Sequence, residues 1–385
     1  MKKNIYLDYA AATPIDPDVK KVMEPFFAQE FGNPSAIHSM GQSAHTAVET
    51  ARADIAKILS ARAREIIFTS CGTESNNTAL FSVIAATKIS RPHVIVSRIE
   101  HSSIFQAAQE LQRRGVSVSF VPVDSDGIVD VQAIRKAITK RTVLVSVMYA
   151  NNEIGAIQPI REIAKEIRSA RNRFGHSYPY FHSDACQVGG YCDIDTARLH
   201  VDLMTLNASK VYGPKGVGVL YVRAGTVMAP LLWGGDQEFG MRGGTENVPG
   251  IMGMAKALQV SRKHAMKETR RLTVLRDMLI KGICTRVSCA IVNGSQSQRL
   301  PNNANISFLG YDGEAIVLFL NSRGIYVSTG AACTAQAGKA SHVLQACGFD
   351  GDRVRGGVRF SLGRYTTRSD IRFTIENITE VLKKL

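Results

Sequence analysis

The sequence predicts an α/β protein of two domains: a large one built on a mainly parallel sheet flanked by helices, and a smaller α+β one. Three observations predict it. Short β-rich runs alternate with helical patterns through the first part of the chain. The pattern changes near residue 246, where a long amphipathic stretch begins. The polar and glycine-containing motifs fall just after the apolar runs, where ligands bind in open α/β sheets.

The strand-like runs are EIIFTS (65–70), HVIVS (93–97), VSVSFVPV (116–123), TVLVSVMY (142–149), YPYFHSD (178–184), VDLMTLN (201–207) and GVLYV (218–222). Near-continuous apolar runs of this kind suit parallel strands covered on both faces. Helix-like stretches lie between them at 74–87, 103–114, 130–139 and 159–174. Beyond the change come an amphipathic stretch (247–281), strands ANISFLG (304–310) and GVRFSLG (357–363), and helices 312–323, 340–347 and 368–384. This places residues 15–255 in the large domain, with 1–14 and 256–385 in the small one. A length of 385 residues also exceeds one small core.

Composition narrows the classes. Hydrophobic residues at 45% and charged residues at 21% fit a globular protein. No apolar run reaches membrane-spanning length, so no membrane partner is expected. Asp8 interrupts the opening MKKNIYLDYAAATP, so a secretory signal is not expected and the cytoplasm is the expected compartment. The net charge of +14 raises nucleic-acid binding. The basic clusters are short (Arg113-Arg114, Arg270-Arg271, Lys383-Lys384) and no nucleic-acid module accompanies them. They read as solvated helix faces, and no nucleic-acid partner is expected. Seven cysteines, an odd number with no C-x-x-C, argue against a disulfide framework or a metal site. Most of them read as small buried residues.

The motifs carry the chemistry. SCGTESNN (70–77) opens a helix after a strand, and Thr73 adds a hydroxyl. A helix N-terminus with free N–H groups suits a phosphate, although on this stretch alone an ordinary N-cap is the better reading, because N-caps are common. HSDACQ (182–187) puts Asp184 at a strand end, where a pyridinium N–H would partner a buried carboxylate. A capping Asp is the plain alternative. NASKVYGPKG (207–216) places Lys210 after an apolar strand, where a lowered pKa favours Schiff-base chemistry. Lys215, inside the Gly/Pro turn, reads as exposed. The order phosphate turn, Asp, then Lys is more specific than any one part.

Four further positions follow. His101, in SRIEHSS (97–103), sits where an imidazole can stack on a flat ring and move protons, or simply start a helix. Asn152, in YANNEIG (149–155), can donate to a phenolic oxygen or form a turn. Cys333, in STGAACTAQAGKASHVL (328–344), lies among small and polar residues that favour an exposed loop over a core. Arg359, in VRFSLGRYTT (358–367), alternates with Val358 and Phe360 and can clamp a carboxylate or form a salt bridge.

Together these motifs resemble the NifS/IscS-like cysteine desulfurases, within the class V aminotransferase group of fold-type I enzymes that use pyridoxal 5′-phosphate (PLP). The similarity runs in order through YLDYAAATP (6–14), FGNPSAIHSMG (31–41), EIIFTSCGTESNN, His101, NNEIG, DACQ, SKVYGPKG, GGDQEFGMRGGTENV (234–248), STGAACT and RFSLGRYTT. The resemblance implies that Lys210 carries PLP, Asp184 pairs with its ring nitrogen, and Gln187 and Asn152 contact its phenolic oxygen. It implies that His101 stacks on the ring. Gly72, Thr73 and Ser209 would bind the phosphate, with Thr245 contributed by the partner subunit of a homodimer. Asn33 and Arg359 would hold the carboxylate of L-cysteine. Lys210 and His101 would move protons, Cys333 would take the sulfur as a persulfide, and L-alanine would leave. The acceptor would be a protein such as an iron–sulfur scaffold or a tRNA-thiolation protein.

Three departures accompany the resemblance. Asn207-Ala208-Ser209-Lys210 stands where the family usually has S-x-H-K, and Cys71 stands where glycine is usual. The chain ends at Leu385 without the extension by which some relatives dock a scaffold. Related readings are an aminotransferase, a selenocysteine lyase, or a sulfur carrier without PLP.

Overall fold

The computed structural model describes residues 4–330 and 340–384. Strand β1 (Ile5–Tyr6) comes first. Seven strands then build the main sheet: β2 (Ile66–Thr69), β3 (His93–Ser97), β4 (Ser117–Val121), β5 (Thr142–Ser146), β6 (Tyr180–Asp184), β7 (Leu203–Asn207) and β8 (Gly218–Val222). Each falls on a run read from the sequence. Their order is β2-β8-β7-β6-β5-β3-β4. The pairs among β7, β6, β5, β3 and β4 are parallel, and β8 runs antiparallel to β7 and β2.

Alternate residues of β2 and β3 enter opposite cores, as the two-residue period requires. Ile66, Phe68 and Ile95 face one core, with Val48 and Ile55 of helix Ser39–Leu59 and Ile163 and Ile167 of helix Ile160–Phe174. Ile67, Val94 and Val96 face the other, with Leu80 and Val83 of helix Gly72–Ala86 and Ile104 and Leu111 of helix Ser102–Arg113.

Strands β9 (Ala290–Asn293) and β10 (Asn303–Phe308), the short β11 (Ile325–Tyr326) and β12 (Gly357–Ser361) follow. β12, β10 and β9 form an antiparallel sheet, and β11 pairs with β1 in parallel. Their core draws on Ile5, Leu7, Ile306, Phe308, Val358, Phe360, Ile371 and Ile378. Helix Val248–Arg286, 39 residues long, runs between the two units. It gives Ile251, Met254 and Leu258 to the first core and Leu272, Leu279 and Ile283 to the second.

Several expectations need correction. The long helix continues past residue 281 to Arg286. Helix Ser39–Leu59 had no counterpart in the sequence reading. Its buried face includes Gly41, Ala44, Ala51 and Ala56, whose small side chains give little periodic contrast. Among the described cysteines Cys347 is buried, while Cys71, Cys186, Cys192, Cys284 and Cys289 are only partly covered. Arg271 is no solvated cation: its guanidinium donates to the carbonyls of Gly363, Arg364 and Thr366. No helix among the described residues is long and apolar enough to cross a membrane.

Candidate active site

A cavity of about 290 Å³ opens beyond the carboxyl ends of β3, β5, β6 and β7. Its wall includes Gly72, Thr73, His101, Asn152, Asp184, Gln187, Lys210 and Arg359. Residues from five loops and one small-domain strand thus meet in one place.

Asp184 ends β6 and is 6% exposed. Its Oδ2 accepts from Asn76 Nδ2 at 2.7 Å and its Oδ1 from the Cys186 N–H at 3.0 Å. Lys210 closes a short 3-10 turn after β7. Its Nζ donates to the carbonyls of Ala10 at 2.9 Å and Ala11 at 2.5 Å. Burial holds its pKa below the ordinary lysine value; Arg359 acts in the same sense and Asp184 opposes it. A buried amine with a lowered pKa is the form that attacks a carbonyl.

His101 is the N-cap of helix Ser102–Arg113. Its Nδ1 accepts the Ser103 N–H at 3.2 Å and lies 2.9 Å from Ser103 Oγ. Asn76 Nδ2 also donates to that hydroxyl at 2.8 Å, so one amide links Asp184 to the His101 side of the cavity. Burial lowers the His101 pKa, and the nearby Asp184 works against that.

Helix Gly72–Ala86 points its N-terminus at the cavity, and its N-cap Cys71 makes no side-chain cap. Glu74, in the first turn, is drawn away to Arg242 at 3.0 Å and to the Ser70 N–H at 2.8 Å. The first N–H groups are therefore left for an anion. Gly72 is needed for space: a Cβ there would lie 2.9 Å from Cys186 Sγ. Cys71 has φ −175°, an extended conformation open to any residue, so cysteine in place of glycine brings no strain.

Arg359 lies on β12 with its neighbours Val358 and Phe360 in the small-unit core, so it points the other way, into the cavity. Nη2 pairs with Asp8 Oδ1 at 2.7 Å and Nη1 donates to the Asn152 carbonyl at 2.9 Å. Its Nε is buried without a partner among the described residues. Gln187 Nε2 donates to the Ala10 carbonyl at 3.1 Å.

Three expected residues do not line the cavity. Ser209 is buried beside it, with Oγ 3.3 Å from Asn207 Oδ1, and Asn207 is the one in the wall. Asn33 is occupied by the Ser35 N–H at 2.9 Å. Thr245 is exposed in the single chain. Cys333 lies outside the described residues; Gly330, three positions earlier, is in the cavity wall.

The sequence reading missed Asn76, Cys186, Asn207 and His342 in the wall. Asn76 was findable, one helical turn beyond Gly72. His342 carries no local signal, because its place depends on packing between distant segments. Glu100 is a neighbour of note. Its Oε1 accepts from Ser97 Oγ at 2.6 Å and the Met148 N–H at 2.7 Å, while Oε2 is buried and unpartnered among the described residues. Complete burial pushes its pKa up to about 8.

The donor set fits PLP. A carboxylate with two neutral partners awaits a cationic N–H. An uncapped helix end awaits a phosphate, and a buried lysine awaits a carbonyl. The buried Asn76 Oδ1 in the wall also lacks a partner among the described residues.

The class-V aminotransferase family profile matches residues 5–373. A cysteine desulfurase IscS of Dictyoglomus turgidum is 45% identical over all of this chain and 96% of its own length. One of Methanosarcina thermophila is 41% identical over all of this chain and 93% of its length. Among solved structures, a NifS-like protein superposes with a TM-score of 0.93 at 34% identity, covering both chains fully. SspA in complex with cysteine gives a TM-score of 0.81 at 32% identity over 94% of this chain and all of that one. The PLP-shaped donor set and these relatives agree: the chain belongs to the class-V aminotransferase family and, within it, to the PLP-dependent NifS/IscS-like cysteine desulfurases.

Proposed function

We propose that this chain takes sulfur from L-cysteine onto Cys333 and releases L-alanine. The observation that carries the reading is the meeting of Lys210, Asp184 and Arg359 in one cavity whose wall includes Gly330, just before the Cys333 segment. When bound, PLP supplies an electron sink for the carbon next to the substrate amine.

We assign the residues as follows. Lys210 holds the cofactor and moves the proton at the substrate α-carbon. Asp184, held in place by the Asn76 amide and the Cys186 N–H, pairs with the ring nitrogen. Asn152 and Gln187 serve the phenolic oxygen, and His101 stacks on the ring. Gly72, Thr73 and Ser209 hold the phosphate. Arg359 and Asn33 bind the substrate carboxylate, with the unpartnered Arg359 Nε available for it.

We further propose a homodimer in which Thr245 of one subunit completes the phosphate site of the other. Large apolar side chains support this: Phe31 is 68%, Ile37 92% and Trp233 82% exposed. Pro34, Ser35, Phe239 and Glu246 border one groove, so the Asn33 and Thr245 segments share a face. Exposed apolar residues on one face mark an interface. The persulfide passes to an acceptor protein, such as an iron–sulfur scaffold or a tRNA-thiolation protein. Thiol chemistry of this kind needs a reducing compartment, so we assign the cytoplasm.

The test is to incubate the purified protein with PLP and L-cysteine, measure L-alanine, and map modified cysteines by mass spectrometry. A persulfide on Cys333, and no sulfide release by Cys333→Ala, are expected. Sulfide release retained by Cys333→Ala would sink the reading.

A further inference from the structure

We infer that Asn76 and Ser103 are positioning residues that hold His101 in one tautomer, with its hydrogen on Nε2 and Nδ1 bare. The inference rests on the desulfurase reading above, which gives His101 its place at the cofactor ring.

Asn76 lies on helix Gly72–Ala86 and is 1% exposed. Its neighbours settle which way the amide points. A carboxylate accepts, so the atom 2.7 Å from Asp184 Oδ2 is the amide nitrogen. That nitrogen has two hydrogens. One goes to Asp184 and the other to Ser103 Oγ, at 2.8 Å.

With Oγ taken as an acceptor, the Ser103 hydroxyl hydrogen is left for His101 Nδ1, 2.9 Å away. The Ser103 backbone N–H donates to the same nitrogen at 3.2 Å. One N–H cannot donate to another, so Nδ1 is bare and neutral His101 carries its hydrogen on Nε2. Every hydrogen between Asp184 and His101 thus has one place.

The arrangement sacrifices a hydrogen bond. Asn76 Oδ1 is buried and unpartnered among the described residues, although buried polar atoms are normally paired. The amide serves only through its nitrogen, and what it serves is Asp184 on one side and the His101 tautomer on the other. Protonating Nδ1 would break both bonds from Ser103. His101 therefore enters the reaction neutral, as a donor from Nε2 rather than a base. Burial lowers its pKa in the same sense, Asp184 opposes this, and Lys210 and His342 add to it.

Spectra of the cofactor-free, ¹⁵N-labelled protein test this. His101 should show its hydrogen on Nε2. Its titration midpoint should rise by about one pH unit in Ser103→Ala, because a donor to the bare nitrogen is lost. Asn76→Ala should raise it too, since nothing then turns the Ser103 hydroxyl toward Nδ1. Asp184, Lys210 and His342 remain in both variants. The double variant should shift by less than the sum of the two, because Asn76 acts through Ser103. In the PLP-loaded enzyme, Ser103→Ala should lower kcat for L-alanine formation by about tenfold, the scale of one hydrogen bond, with KM for L-cysteine within about twofold of wild type. A wild-type His101 with its hydrogen on Nδ1 overturns the inference, as does an unmoved midpoint in Ser103→Ala or full additivity in the double variant. A wild type that forms no L-alanine would instead defeat the desulfurase reading, and the spectra would still decide the tautomer.

Discussion

Lys210 and Arg359 show what burial does to a cation. The Lys210 amine is held on two carbonyls and stripped of water, so its pKa falls below the usual 10.5. The neutral amine is then more abundant at any given pH, and attack on a cofactor carbonyl begins at lower pH than for a solvated lysine. Lys210→Ala is expected to lose the visible band of bound PLP and all desulfurase activity, checked by absorption and sulfide release. Arg359 spends two nitrogens on Asp8 and Asn152. Arg359→Lys preserves the charge and loses the planar fork, so KM for L-cysteine should rise by about tenfold with a smaller change in kcat.

Glu100 gives a pH prediction at the same scale. Its folded pKa, about 8, is raised by burial above the ordinary 4.5. Between those values the folded protein binds a proton that the unfolded chain has released, so this residue's contribution to stability falls as pH rises from 4.5 to about 8. The size is on the order of a few kcal/mol. Urea unfolding at pH 5 and pH 8 should show this slope in wild type and a smaller one in Glu100→Gln; equal slopes would contradict the assignment.

At the scale of elements, the proposed phosphate end of helix Gly72–Ala86 is a steric device as much as an electrostatic one. The uncapped N-terminus supplies the donors, and Gly72 supplies the room. Gly72→Val should weaken PLP affinity by at least about tenfold, because its Cβ meets Cys186 Sγ at 2.9 Å and displaces the turn. Cys71→Gly should leave affinity unchanged, because Cys71 sits in extended backbone; equilibrium PLP titration of both variants checks this. The strands of the main sheet were legible as apolar runs because parallel strands are covered on both faces. Helix Ser39–Leu59 was not legible, since alanines make much of its buried face. β1 and β11, two residues each, exist only because each pairs with the other across more than 300 positions of sequence.

At the scale of the whole molecule, the site joins both units. Asp8 and Arg359 come from either end of the chain and meet at a cavity whose floor belongs to the main sheet. Phe31, Ile37 and Trp233 are exposed, and neither Asn33 nor Thr245 lines the cavity of its own chain. Trp233→Asp should shift sedimentation from dimer to monomer and weaken PLP binding together. A monomeric wild type, or a dimer unaffected by the change, would count against the proposed dimer face.

The sequence by itself determined the alternation of strands and helices, and with it the parallel sheet. It also determined the order of phosphate turn, Asp184 and Lys210, because strand ends place such residues locally. Only the tertiary structure decided which residues share the wall. It put Asn207 there rather than Ser209, joined Asp184 to Ser103 through Asn76, and brought His342 to the Glu100 carbonyl 242 positions away. The physical reason is that strand and helix periods act over a few residues, whereas hydrogen-bond partners across a cavity are chosen by packing between segments that the chain order leaves far apart.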